Sequence, residues 1–164
     1  MAMDGLATDD IRTLLRWVKD GPAGTIPIDA PDRSLGRLQA VTWDDAADRD
    51  ALDRLFRWHE LAFAWFPEPF PVTPEGARRW LADRVLSDPR RILFWVRDVC
   101  GEARAHVGLT IDPDAGTATV GDVITCHPKA AALTAAAIEA LSRWARRELG
   151  LRVERTSQAR VIAA

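Results

Sequence analysis

Residues 121–133 hold the densest set of groups able to do chemistry: Gly121, Asp122, Val123, Ile124, Thr125, Cys126, His127, Pro128 and Lys129, then Ala130, Ala131, Ala132 and Leu133. A β-rich run reaches a short polar turn and opens into a long Ala-rich helix. Such a turn points unpaired backbone N–H groups and the positive end of a helix dipole at one spot, which suits an anion such as a phosphate. Lys129 lies in that turn, and Lys19 is the only other lysine in the chain. Lys129 reads either as an anion contact or as a solvated cation that opposes the dipole when no anion is present. Asp122, inside the strand, can act as a general base or can point to solvent by alternation. Cys126 and His127 sit near a helix start, where a thiol gains acidity. Sequence neighbours rarely form a nucleophile–base pair, so Cys126 reads first as a buried structural cysteine.

A second concentration of polar and aromatic groups spans 58–71. His59 and Glu60 end a helical run just before a loop with three prolines, at 67, 69 and 71. Trp58, Trp65 and Phe66 border that loop and are candidates for lining a ligand pocket, whereas Trp80, Trp95 and Trp144 sit at core spacing. Arg143, Arg146 and Arg147 read as a solvated helix face.

Composition removes several classes of function. The chain has 164 residues, enough for one domain with a real core. A net charge of −2 argues against a broad nucleic-acid footprint. Two cysteines and three scattered histidines give no metal-ligand spacing, so no metal is expected. Asp4, Asp9 and Asp10 stand where a signal peptide needs cations, and no apolar run nears the roughly 20 residues that span a bilayer. A reducing cytoplasm, with no membrane partner, is the expectation.

The elements that must position these groups follow from periodicity. Residues 8–20 read as a helix with Ile11, Leu14, Leu15 and Val18 on one face. Residues 25–34, with Pro27 and Pro31, read as an extended linker, so 1–35 stand as a helix and linker before a domain over 36–164. A first strand over 36–43, a helix over 44–62 and a Thr73-capped helix over 73–87 come next. Strands over 92–98, 103–111 and 117–125 follow, the last two joined by a hairpin at 112–116. A helix over 129–149 stopped by Gly150, a short strand over 151–155 and the start of a helix over 156–164 complete the chain.

Over 36–164 this order resembles the GNAT superfamily of N-acyltransferases, and local phrases agree. Val72-Thr73-Pro74-Glu75-Gly76 with Arg79-Trp80-Leu81 is similar to the second helix of members that act on amino sugars and other small amines. Ile92-Leu93-Phe94-Trp95-Val96, then Gly101 and His106-Val107-Gly108-Leu109, are similar to the family's second and third strands. Ser157-Gln158-Ala159-Arg160-Val161-Ile162-Ala163 resembles its short helix after the fifth strand.

The resemblance implies a mixed α/β fold with a mostly antiparallel central sheet flanked by helices, lacking the last family strands. It implies transfer of an acetyl or other acyl group from acetyl-CoA, as co-substrate, to a primary amine of a small molecule such as an amino sugar. The backbone at Val123, Ile124 and Thr125 would face the thioester, and Lys129, Ala130, Ala131 and Ala132 the pyrophosphate, with Gln158 beside the cofactor. Glu60 or Asp122 would be the base, and His59, Trp65 and Phe66 would meet the acceptor. Ala130–Ala132 replace the family's loop glycines, and the chain has no tyrosine to protonate a leaving thiolate. The competing expectation is therefore a catalytically inactive GNAT-like module for binding or assembly. An edge strand with Leu151 and Val153, followed by Val161 and Ile162, leads to the expectation of a homodimer or a partner chain through 151–164.

Overall fold

The computed structural model describes residues 8–20, 24–62, 73–126, 128–155 and 160–161. It begins with α1 (Thr8–Asp20), β1 (Thr25–Asp29), β2 (Ser34–Ala40), α2 (Trp43–Ala47) and α3 (Arg49–Ala62). α4 (Pro74–Trp80) runs on as a wider π-helical segment over Leu81–Leu86. β3 (Arg91–Asp98), β4 (Ala103–Asp112) and β5 (Thr117–Thr125) form a meander. A 3₁₀ turn at Pro128–Ala130 leads into α5 (Ala131–Leu149), followed by β6 (Arg152–Arg155) and β7 (Arg160–Val161). The result is a mixed α/β fold whose curled sheet is flanked by helices.

Sheet order is β1-β2-β3-β4-β5-β6, antiparallel as far as β5 and parallel between β5 and β6. Each strand feeds both faces by alternation. Ile92, Phe94 and Val96 of β3, with Ala105, Val107, Leu109 and Ile111 of β4, enter one core with α1 and α5. Leu93 and Trp95 enter a second core with α3 and the π-helical segment, through Leu55, Trp58, Leu81 and Val85.

Three elements differ from the sequence expectations. The linker expected over 25–34 contains β1, whose Ile26 and Ile28 alternate inward to 8 % and 0 % exposure. Pro27 is tolerated because β1 is the sheet's edge, where a missing N–H breaks no central ladder. Ile11, Leu15 and Val18 of α1 join the same core, so α1 and β1 contribute packing to the sheet. Lys19 at the end of α1 is buried and donates to the carbonyls of Val85, Leu86 and Asp88, tying α1 to the C-terminal end of the π-helical segment.

The helix expected over 44–62 is two helices. Asp48 is extended, and its Oδ1 accepts from the Asp50 N–H at 2.9 Å, starting α3 anew. The helix start expected over 156–164 is replaced, at its two described residues, by β7, which pairs in parallel with Ile124 and Thr125. Leu151, expected on an exposed edge, is buried beneath α5 at 5 % exposure, and Val153 packs against the same core. Parallel pairing of β6 with β5 turns that alternate set inward.

Other readings hold in detail. Thr73 Oγ1 accepts from the Gly76 N–H at 2.9 Å, with Pro74 in the first helical turn. Gly150 ends α5 at φ 65°, a conformation glycine adopts without steric cost.

Candidate functional site

β5 does not keep a regular ladder with β4. Ala105 and His106 face Thr125 and Ile124, but Gly108 faces Gly121, so β5 carries one residue more than β4 across this step. The surplus is a β-bulge at Asp122, the only non-glycine residue with positive φ among the described residues, at 50°. The bulge breaks alternation. Val123 turns into the α5 core and Ile124 into the α3 core, while Asp122 turns toward α3 and α4. Asp122 therefore does not simply follow alternation to solvent.

Gly108 makes room for that turn. A Cβ there would lie 3.0 Å from both Cβ and Oδ2 of Asp122. The carboxylate instead accepts from Arg91 Nη2 of β3 at 2.7 Å, in a partly buried ion pair. The Arg91 guanidinium lies 5.9 Å from the ring centre of Trp80. Trp80 meets His59 of α3 edge-on, 4.7 Å between ring centres. His59 Nε2 stands 3.2 Å from His106 Nε2 of β4. His106 brings the path back to Asp122, whose carboxylate and main chain are the groups favouring its protonated form.

The ring His59–His106–Asp122–Arg91–Trp80 sits over a floor of tryptophan. Trp58 stacks on His106, and Trp95 meets Trp58 edge-on. Burial drives both imidazoles well below the usual histidine range, and for His59 the neighbouring His106 adds to the effect. Two neutral imidazoles facing Nε2 to Nε2 must hold complementary tautomers, one donating and one accepting. Among the described residues, His106 Nδ1 closes no hydrogen bond of normal geometry. Burial thus holds the pair neutral, and Asp122, ion-paired to Arg91, is the charged acceptor of the group.

Of the residues singled out from sequence, the fold brings His59 and Asp122 into this ring. Glu60 is exposed at the end of α3. Trp65, Phe66, His127 and Gln158 lie outside the described residues. Thr125 is buried, and its hydroxyl donates to Thr134 Oγ1 of α5 at 3.1 Å, stapling the strand end to the helix. Ile124 and Thr125 bear β7 on their outer edge. Lys129 is exposed in the 3₁₀ turn, Ala130 is buried, and Ala131 and Ala132 are exposed in a helix start with no side-chain cap. Burial pushes the Cys126 thiol up, with Arg104 and Arg54 offsetting part of the shift, so it is not an activated nucleophile.

Sequence reasoning missed His106 and Arg91. The available signal was parity: His106 shares a strand face with Gly108 and lies opposite Trp95 of β3, which puts it on the α3 side with His59. Among the described residues no group of three or more His, Cys, Asp or Glu is placed to hold a metal, and no helix is long and apolar enough to cross a membrane. No protein-family model matches the chain, and no curated protein or solved structure matches it at a significant level.

Proposed function

We propose that this chain is a GNAT-type N-acyltransferase that moves an acetyl or other acyl group from acyl-CoA to a primary amine of a small molecule such as an amino sugar. The supporting observation is the outer edge of β5. Among the described residues, parallel pairing reaches Val120 with Arg155, the bulge follows at Asp122, and β7 pairs from Ile124. Among the described residues, Gly121–Val123 have no partner strand on that edge, close to the turn that starts α5. An extended amide chain such as an acyl-pantetheine arm is recognised by such an edge, and its diphosphate by uncapped helix-start N–H groups with Lys129 nearby.

The thioester supplies an activated carbonyl, so the chain's own residues have a limited task. Of the Val123–Thr125 backbone, Val123 would orient the carbonyl and meet its oxygen, because Ile124 and Thr125 are paired with β4 and β7. Asp122, aimed by Arg91 and backed by the neutral His106–His59 pair, takes the proton that the attacking amine loses. Glu60 is the alternative base, at the exposed end of α3. His59 with the 65–66 segment would face the acceptor.

A second reading has its own observation. β7 already occupies the Ile124–Thr125 edge, as expected of a GNAT-like module used for binding or assembly and not for catalysis. In either reading the chain associates through residues 151–164, as a homodimer or with a partner chain, because β6 is the last strand in the sheet order. Light scattering at tens of micromolar protein checks this, and a stable monomer would refute it. Calorimetric titration with acetyl-CoA decides between the readings. Binding heat and thermal stabilisation are expected for the transferase, and neither at millimolar ligand would leave only the binding module.

A further inference from the structure

On the α3 side of the sheet, three arginines lie near one another, and none of them forms an ion pair among the described residues. Arg37 of β2 and Arg97 of β3 are direct cross-strand partners. Like charges in that position repel, and a sheet ordinarily avoids them. One step along the same face Gln39 lies opposite Trp95, and Arg54 of α3 holds its guanidinium 5.7 Å from the Trp95 ring centre. Arg97 donates only to neutral acceptors, Gln39 Oε1 and the Gly101 carbonyl. None of Arg37, Arg54 and Arg97 forms an ion pair among the described residues, although the chain carries more acids than bases.

Among the described residues the nearby acids do not pair with these three, although Asp45 and Glu102 act on Arg97 electrostatically. Asp45 accepts from the Thr42 N–H and the Trp95 indole. Asp98 is bonded to Arg104 and to the N–H groups of Cys100 and Glu102. Glu102 is exposed and forms no ion pair. The mutual influence of these arginines is visible in Arg97, whose pKa burial lowers first and Arg54 next, with Asp45 offsetting part, Arg37 lowering it again and Glu102 raising it least.

We propose that Arg37, Arg54 and Arg97 form an oxyanion site for a phosphate group, free or as the monoester of a small molecule. The site is partly prepared. The Trp95 ring orients Arg54, and Gln39 with the Gly101 carbonyl fixes Arg97 while using two of its five N–H donors. Exposed Arg37 closes the third side. Guanidinium forks match phosphate geometry, and several together favour a dianion over a singly charged carboxylate. Arg37, Arg54 and Arg97 have no role in the acyl-transfer reading, so the site does not depend on it.

The test is thermal denaturation and calorimetry of the full chain with inorganic phosphate, glycerol phosphate and acetate, chloride holding ionic strength constant. Both phosphates should stabilise saturably and acetate should not; a preference for glycerol phosphate identifies a monoester as the natural ligand. Arg37→Gln and Arg97→Gln should each weaken phosphate binding by about tenfold or more, the loss of a charge-assisted hydrogen bond. Without phosphate, Arg37→Gln should melt no lower than the parent, because it removes a like-charged neighbour. If Arg97→Gln fails to fold, exposed Arg37 carries the test alone.

Phosphate acting no better than chloride would overturn the proposal. So would undiminished binding in Arg37→Gln, or a lower melting point of that variant without phosphate. Loss of phosphate binding in Lys129→Gln would move the anion to the turn before α5 and overturn it too. Failure of acetyl-CoA to bind, with phosphate binding intact, would count against the acyl-transfer reading alone.

Discussion

His59 of α3 and His106 of β4 stand Nε2 to Nε2 at 3.2 Å, 4 % and 0 % exposed, with Trp58 and Trp80 against their rings. A charge on either would lie in an apolar enclosure beside the other, so the fold accepts them only as a neutral pair. The contact joins helix and sheet layers and constrains both function and stability.

Stability should therefore fall on mild acidification. The unfolded chain protonates each histidine near pH 6.5, while the folded values are lowered, so below that pH the unfolded state holds more protons. The contribution is fully present above about pH 6.5 and is lost as pH falls toward the folded values, at roughly 1.4 kcal/mol per pH unit per histidine. Urea unfolding at about pH 7 and about pH 5 should differ by on the order of 3 kcal/mol. Asp98, lowered by its bond to Arg104, responds mainly below the ordinary carboxylate range and leaves this window to the histidines. His59→Gln should remove about half of the slope; an unchanged slope would show that the pair is not held neutral.

Gly108→Ala tests the seat of Asp122. The new Cβ would meet Cβ and Oδ2 of Asp122 at 3.0 Å and the Gly121 carbonyl at 3.2 Å. Overpacking against backbone is not relieved by a rotamer change, so a loss of about 1–3 kcal/mol is expected. Adding Asp122→Gly should recover part of it, since glycine suits φ 50° and carries no carboxylate. A double-mutant cycle measures the coupling, and strict additivity would show that the two residues do not crowd each other.

Much of the fold was legible because its long helix and several of its strands carry one clean period. α5 repeats apolar positions at helical spacing, and β4 alternates almost without fault. β1 was hidden because Pro27 and Pro31 read as punctuation, although Ile26 and Ile28 already alternate. The break at Asp48 lies among helix-compatible acids, and only the local bond to the Asp50 N–H favours restarting. Asp122 was legible as a candidate base, but its direction was not, since a bulge depends on the register β4 imposes. His106 reads from sequence as one more inward strand residue. Its role appears only when the fold brings α3 over β4.

Lys19→Met should be among the more damaging substitutions outside the Asp122 ring. The ammonium donates to three main-chain carbonyls at the end of the π-helical segment, those of Val85, Leu86 and Asp88. Methionine keeps much of the stem's volume but leaves those acceptors without their donor, at a cost of about 2–3 kcal/mol. Denaturant unfolding measures the loss. Lys19→Arg should recover less than a full hydrogen-bond set, because a planar fork does not reproduce three converging N–H bonds from one nitrogen. A neutral effect of Lys19→Met would mean that water replaces the ammonium and α1 is not tied down here.

Asp122→Asn is the sharpest test of the catalytic reading. Asparagine tolerates positive φ at least as well as aspartate and can still accept from Arg91 Nη2, so the bulge and the fold should survive. It cannot take up a proton. If Asp122 receives the amine proton, kcat for acyl transfer should fall by about 10²-fold or more, while calorimetric acetyl-CoA affinity changes little. Raising the pH should restore part of the rate, because solution then supplies more free amine to the site. The same variant in Glu60 serves as the contrast, and a large kcat loss in Glu60→Gln with none in Asp122→Asn would transfer the role of base to the end of α3. Equal and small effects in both would leave positioning alone to account for the rate, with His106 as the next side chain to change.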